Sequence, residues 1–179
     1  MNKLNCNYII IATVTLVLLF ATSNHSMAAV DMFLKLADIP GESTDSKHRN
    51  EIDVLAWTWG MTQPGNVIIG PGKPVIQDIS FSKYVDASTP LLLTAGITGK
   101  SIPSAILTVR SAGLFEYLKI SLTNVMVSSI SSGGNNGQDR FTENVTFSFE
   151  EFKIDYTVQK ADGTPGATTS SSYNIINGK

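Results

Sequence analysis

From Val30 onward, apolar and polar residues alternate with a period of two over most of the chain, as in strands with one buried face. Val30, Met32, Leu34 and Leu36 occupy one set of positions, and Asp31, Phe33 and Lys35 the other. This predicts a first strand with neither face wholly polar. Residues 39–50 read as a polar loop, opened by Pro40-Gly41 and continued by Glu42-Ser43-Thr44-Asp45-Ser46-Lys47. A second strand is predicted over 51–61. Leu55, Trp57, Trp59 and Met61 share one of its faces, and Ile52, Val54, Ala56 and Thr58 the other. Residues 64–74, with Gly65, Gly70 and Gly72, read as a connection. Strand character returns over 75–83, where Val75, Ile79 and Phe81 share a face.

One short helix is predicted. Ser88 supplies a hydroxyl cap, Pro90 sits where a missing N–H costs nothing, and Gly96 or Gly99 can end the turn. Further strands are predicted over 105–110, 116–130 and 144–158. The last two change phase midway. Leu118, Ile120 and Leu122 give way to Val125 and Val127, and Val145, Phe147 and Phe149 give way to Phe152, Ile154, Tyr156 and Val158. A phase change without a bulge would turn the apolar face outward, so both strands are expected to bend. Bent long strands close barrels. The fold class is therefore mainly β: a closed β-barrel of bent antiparallel strands with one short flanking α-helix. The tail from Ala161 is rich in turn residues and is expected to be loosely held.

Composition narrows the function. The chain has 179 residues, 42% of them hydrophobic and 16% charged, which suits one domain and excludes a disordered chain. Lys+Arg 13 against Asp+Glu 15 leaves no basic stripe for nucleic acid. An apolar run from Tyr8 to Ala21 follows Lys3 and precedes Ser26-Met27-Ala28-Ala29. It is too short to span a bilayer comfortably and has the layout of an export signal. The single cysteine, Cys6, lies before that run, which disfavours lipid anchoring. Cleavage after residue 28 removes Lys3, taking the net charge from −2 to −3, and also removes Cys6 and His25. The expected segments are 1–28 as signal or upstream stretch, 29–163 as the barrel domain, and 164–179 as a flexible tail.

Little chemistry survives that cut. His48 is the one remaining imidazole, and it reads as a solvated or interface loop histidine rather than a catalytic base. The pairs Glu51/Asp53 and Glu150/Glu151 read as rim and bend carboxylates, although the first is where a hydrolase would be built. Gly133-Gly134-Asn135-Asn136-Gly137-Gln138-Asp139 is superficially like a calcium-binding repeat, but it is a single copy with the wrong spacing, so a hairpin loop is favoured. Trp57 and Trp59 read as core anchors before they read as a stacking platform. Asn144-Val145-Thr146 matches a glycosylation sequon inside a strand and carries no weight. Catalytic, cofactor and metal residues are all expected to be absent.

The organised segments resemble the haemolysin co-regulated protein (Hcp) family, the tube component of bacterial type VI secretion. The resemblance runs through Ala29-Val30-Asp31-Met32-Phe33-Leu34-Lys35-Leu36, Ile39-Pro40-Gly41-Glu42-Ser43, His48 and Glu51-Ile52-Asp53-Val54-Leu55-Ala56-Trp57-Thr58-Trp59-Gly60. It continues through Phe81-Ser82-Lys83-Tyr84-Val85-Asp86, Ser88-Thr89-Pro90, Glu116-Tyr117-Leu118-Lys119-Ile120, Asp139-Arg140-Phe141-Thr142-Glu143-Asn144-Val145 and Tyr156.

This resemblance implies a hexameric ring of barrels, stacked into a secreted tube whose lumen carries effector proteins. It also implies tip, spike and sheath proteins as partners, and neither catalytic residues nor nucleic acid. It places ring or stacking contacts at Glu42, Ser43, Asp45, Lys47 and His48, and lumen-facing positions at Ile52, Val54, Ala56 and Thr58. Family members begin near the equivalent of Met27. Residues 1–26 are thus either a true export signal with periplasmic transit or an upstream stretch outside the protein. The competing reading is a periplasmic or secreted barrel that binds a partner through the 40–50 loop without assembling.

Overall fold

The computed structural model describes residues 30–111 and 115–179, so the expected signal segment lies outside the described residues. The chain runs β1 (Asp31–Leu36), β2 (Ile52–Thr58), β3 (Met61–Thr62), β4 (Gly65–Asn66), β5 (Gly70–Pro71), β6 (Val75–Ile76), β7 (Ile79–Tyr84) and α1 (Ser88–Thr98). It continues β8 (Ile102–Arg110), β9 (Glu116–Gly133), β10 (Thr142–Ser148), β11 (Glu151–Gln159) and β12 (Pro165–Asn174). The main sheet has the order β10-β7-β2-β1-β8-β9-β11-β12, and a further β10–β9 pairing leads back to its start. Every pair is antiparallel. The first six strands of that order therefore form a circuit, and the β11–β12 hairpin extends from β9.

One strand makes the circuit possible. β9 is 18 residues long. Its first half pairs with β8 on one side and β11 on the other, and its second half pairs with β10. The expected phase change falls at Asn124, which adopts a left-handed φ of 50°. On either side of it Leu122 and Val125 both reach the core. Asparagine tolerates that conformation better than most residues because its short polar side chain bonds locally.

The second phase change is a full break rather than a bend. β10 ends at Ser148 and β11 begins at Glu151. The Glu150 N–H donates to the Thr123 carbonyl at 3.0 Å, and the Ile175 N–H donates to the Glu150 carbonyl at 2.9 Å, so Glu150 belongs to neither strand. The predicted 75–83 strand likewise divides into β6 and β7.

The core has Ile52, Ile79, Phe81, Leu92, Leu107, Ile120, Val125, Val145 and Phe147 at its centre. Phe81 and Phe147 meet with ring centroids 5.6 Å apart. Trp57 and Trp59 pack against this core as expected, and the Trp59 indole N–H donates to the Gln77 carbonyl at 2.9 Å. Leu55 and Met61 do not follow them and stay exposed. A register shift between Val54 and Ala56 falls at Leu55 and moves the inward positions of β2 from Ile52 and Val54 to Trp57, while Met61 lies beyond β2 in the β3–β6 pair.

Helix α1 forms where predicted and ends at Gly99, whose φ is 64°. Its start is held differently from the expectation. Asp86, not Ser88, is the cap: its Oδ1 accepts the Ser88 N–H at 2.9 Å and the Ser88 hydroxyl at 2.5 Å. The region expected to be a loose tail instead contains β12, paired with β11 from Glu151↔Asn174 to Gln159↔Pro165. The β-structure thus continues past residue 163.

Candidate assembly surfaces

The 40–50 loop is fastened to the barrel rather than held out from it. Gly41 and Asn50 are joined backbone to backbone at 2.8 Å, and Ser43 exchanges two backbone bonds of 2.9 Å with Glu51 and Asn50. Asp45 turns the chain by accepting the Lys47 N–H at 2.9 Å and the His48 N–H at 3.2 Å. Its carboxylate then takes a two-point contact from Arg110, Nη1 to Oδ1 at 3.1 Å and Nη2 to Oδ2 at 2.8 Å. Asp31 receives Arg110 Nη2 at 2.8 Å, and the guanidinium lies 4.9 Å from the Phe33 ring centroid. The Arg110 hydrogen bonds hold the Asp45 carboxyl well below the usual carboxylate range, and Asp45 in turn raises the guanidinium.

His48 is stacked on Phe33 at 4.2 Å and is only 6% exposed, which corrects its reading as a solvated loop histidine. Its Nδ1 lies 2.9 Å from Glu51 Oε2. Ser43 is also buried. Of the five expected contact residues, Glu42 and Lys47 are exposed and Asp45 is partly so. Ser43 and His48 are spent inside the subunit and are not available to a neighbour. Glu42 has an internal bond too, accepting the Ala87 N–H at 3.0 Å.

The expected lumen-facing set also divides. Ile52 and Val54 are core residues, 0% and 6% exposed, so neither faces a channel. Ala56 and Thr58, beyond the register shift, are exposed. Strand pairing sets them in two cross-strand rows. Ala56 lies opposite Ser82, Ser82 opposite Asn144, and Asn144 opposite Ser131. Thr58 lies opposite Ser80, Ser80 opposite Thr146, and Thr146 opposite Ser129. Directly paired residues share a sheet face. The middle of the outer face of β2-β7-β10-β9 is therefore paved with small uncharged groups, with Tyr84 opposite Thr142 at one end and the exposed Met126 opposite Ser148 at the other. Ser80 Oγ and Thr146 Oγ1 bond at 2.7 Å, and Ser82 bonds to Asn144. Six of these eight positions escaped the sequence reading. Their signal was visible in Ile79-Ser80-Phe81-Ser82 and Asn144-Val145-Thr146-Phe147, where every second residue is small and polar.

Beneath this face lies a buried ion cluster that the sequence reading missed. Lys83 Nζ is 2.8 Å from both Glu143 Oε1 and Asp86 Oδ1, and all three side chains are almost wholly buried. Thr89 and Ser132 donate to Glu143 at 2.8 and 2.9 Å. The cluster joins β7, β10, β9 and the start of α1. Beyond β2, the connection expected over 64–74 is part of a narrow arm. Its β3–β6 and β4–β5 pairings carry Val67, Ile68 and Ile69 out into solvent. Asn66 Oδ1 shapes the tip by accepting the N–H groups of Ile68 and Ile69 at 2.9 and 3.0 Å.

The carboxylate pairs have structural partners. Glu51 holds His48, while Glu150 accepts from Asn124 at 2.6 Å and Asn174 at 3.3 Å, which keeps its carboxyl below the ordinary range.

A sequence model described as type VI secretion system effector, Hcp, matches residues 33–156. The chain belongs to the Hcp family. It is 51% identical over 155 residues to Protein hcp1 of Pseudomonas aeruginosa, across 82% of this chain and 96% of that protein. Among solved structures, Hcp1 from Salmonella typhimurium superposes with a TM-score of 0.73 at 38% identity, covering 84% of this chain and 97% of that one. A structure described as a type six secretion system protein gives a TM-score of 0.80 at 28% identity, over 84% and 99% of the two chains. This Hcp-family chain is thus a type VI secretion protein of mainly antiparallel β structure.

Proposed function

We propose that this Hcp-family protein is the tube subunit: it closes into a hexameric ring, the rings stack, and the lumen carries effector cargo. The observation that carries this reading is the paved face of β2-β7-β10-β9. Eight small uncharged positions in two rows make a wall that offers a passing protein neither a charge to bind nor a large apolar side chain to adhere to. In this reading Ala56 and Thr58 face the lumen, with Ser80, Ser82, Asn144 and Thr146 between them and Ser129 and Ser131. The exposed Val67-Ile68-Ile69 tip supports self-association, because monomers rarely hold three consecutive aliphatic side chains in water. A head-to-tail contact that closes leaves complementary upper and lower ring surfaces, from which stacking follows. Glu42 and Lys47 remain accessible for those contacts. Partners beyond the chain itself would be tip, spike and sheath proteins and the effectors, with release through the secretion machine.

Light scattering and negative-stain imaging of residues 28–179 test this reading. Ring-shaped hexamers are the expected result, and monomer at every concentration overturns it.

A further inference from the structure

Residues 134–141 join β9 to β10 beyond the wall of small side chains. The Gln138 N–H donates to the Asn135 carbonyl at 3.3 Å, and Gln138 Oε1 accepts the Asn135 N–H at 3.2 Å. These bonds close a turn with Asn136 and Gly137 at its centre, both exposed. Gly137 has a φ of 96°, a conformation that favours glycine. With no Cβ on Gly137, nothing of its own shields its amide nitrogen from the Asn136 side chain. Among the described residues, neither that nitrogen nor the Asn136 side chain has a hydrogen-bond partner.

The sequence contains a second such step, Asn177-Gly178, and the fold treats it differently. There the Gly178 N–H donates to the Asn174 carbonyl at 2.9 Å, and the Asn177 N–H to Asn174 Oδ1 at 2.9 Å. Every other asparagine among the described residues precedes a residue with a side chain, which crowds the same approach. We infer that Asn136 is a site of spontaneous covalent modification, converting to aspartate and isoaspartate through its own backbone, while the fold protects Asn177. The Gly137 nitrogen attacks Asn136 Cγ as the bond from Cγ to the side-chain nitrogen breaks. Ammonia leaves, carrying the proton that Gly137 gave up. Water then opens the five-membered imide at either carbonyl, and nothing is oxidised or reduced. The product puts a carboxylate into residues 131–138, which carry no charge, and isoaspartate also lengthens the backbone inside the turn.

The full chain is aged in mildly alkaline buffer, folded and in denaturant, then digested with trypsin and mapped by fragmentation mass spectrometry. Cleavage after Lys119, Arg140 and Lys160 places Asn136 and Asn177 in separate peptides, 120–140 and 161–179. In the folded chain, conversion at Asn136 should run about tenfold faster than at Asn177, where a backbone hydrogen bond must first break. In denaturant the two rates should converge, because both steps are Asn-Gly. Asn136→Gln should hold the 120–140 peptide at its original mass, since glutamine would have to close a larger ring. Equal rates at the two sites in the folded chain would overturn the proposal. So would conversion at Asn124 or Asn135 instead, or a preference for Asn136 that persists in denaturant. The measurement follows the backbone of one chain, so it stands apart from whether the chain forms rings.

Discussion

Arg110 shows how one side chain can organise a loop distant in sequence. Its guanidinium is 4% exposed and meets Asp45 and Asp31 at 2.8 Å each. Replacing it with alanine leaves Asp45 and Asp31 without their cationic partner and should cost about 2–3 kcal/mol, read from chemical denaturation. The pH dependence belongs to Asp45. Its carboxyl is depressed in the fold relative to its ordinary 3.8, first through the Arg110 hydrogen bonds. A depressed acid stabilises the fold above its unfolded value, and that contribution disappears as pH falls toward the folded value. The stability gap between wild type and Asp45→Asn should therefore be full above about pH 4 and shrink steadily in more acid solution. A gap that stays constant to pH 2 would contradict the pairing. His48 teaches a related lesson. Its loop is polar by composition, yet stacking on Phe33 buries the ring, because the aromatic lies on the nominally polar register of β1.

Among the elements, the joint between β7, β10 and α1 depends on Lys83. Its ammonium serves Glu143, Asp86 and the Tyr84 carbonyl, all at 2.8 Å. Lys83→Ala leaves buried carboxylates unpaired and should destabilise by about 3–5 kcal/mol. The double replacement Lys83→Met with Glu143→Leu should recover the part of that loss owed to Glu143, since apolar groups of similar volume need no compensating charge, while Asp86 stays unpaired. Equal losses in single and double variants would refute this account. In the sequence Lys83, Asp86 and Glu143 stand out only as parts of family motifs, because the partners are up to 60 residues apart and each looks like an ordinary surface charge. The helix itself was readable from Ser88-Thr89-Pro90 and Gly99. Its cap was not, since Asp86 acts from outside the helical pattern.

At the scale of the molecule, β9 decides the architecture by serving two pairs of neighbours in succession. The β11–β12 hairpin then carries Phe152 and Ile154, which pack against the core. Ending the chain after residue 163 removes β12 and uncovers the outer edge of β11. The truncated protein should melt several degrees lower and aggregate on heating, as seen by calorimetry and light scattering. An unchanged melting temperature would show that the hairpin is dispensable. β12 was missed because Pro165–Asn174 is nearly all small and polar, and a strand without apolar alternation gives no periodic signal. What the sequence alone determined was the strand-rich class, the single helix, the two phase changes and the family. Each is written in local order, in the spacing of apolar residues or in runs of motif. Only the tertiary structure decided that Ile52 and Val54 point inward while Ala56 and Thr58 point out. It also decided that eight small side chains from four strands make one wall, and that His48 is buried between two acids. Those facts depend on a one-residue register shift and on pairings between distant strands. A side chain's neighbours across a sheet are fixed by which strand lies beside it, and period-two patterning is the same whichever strand that is.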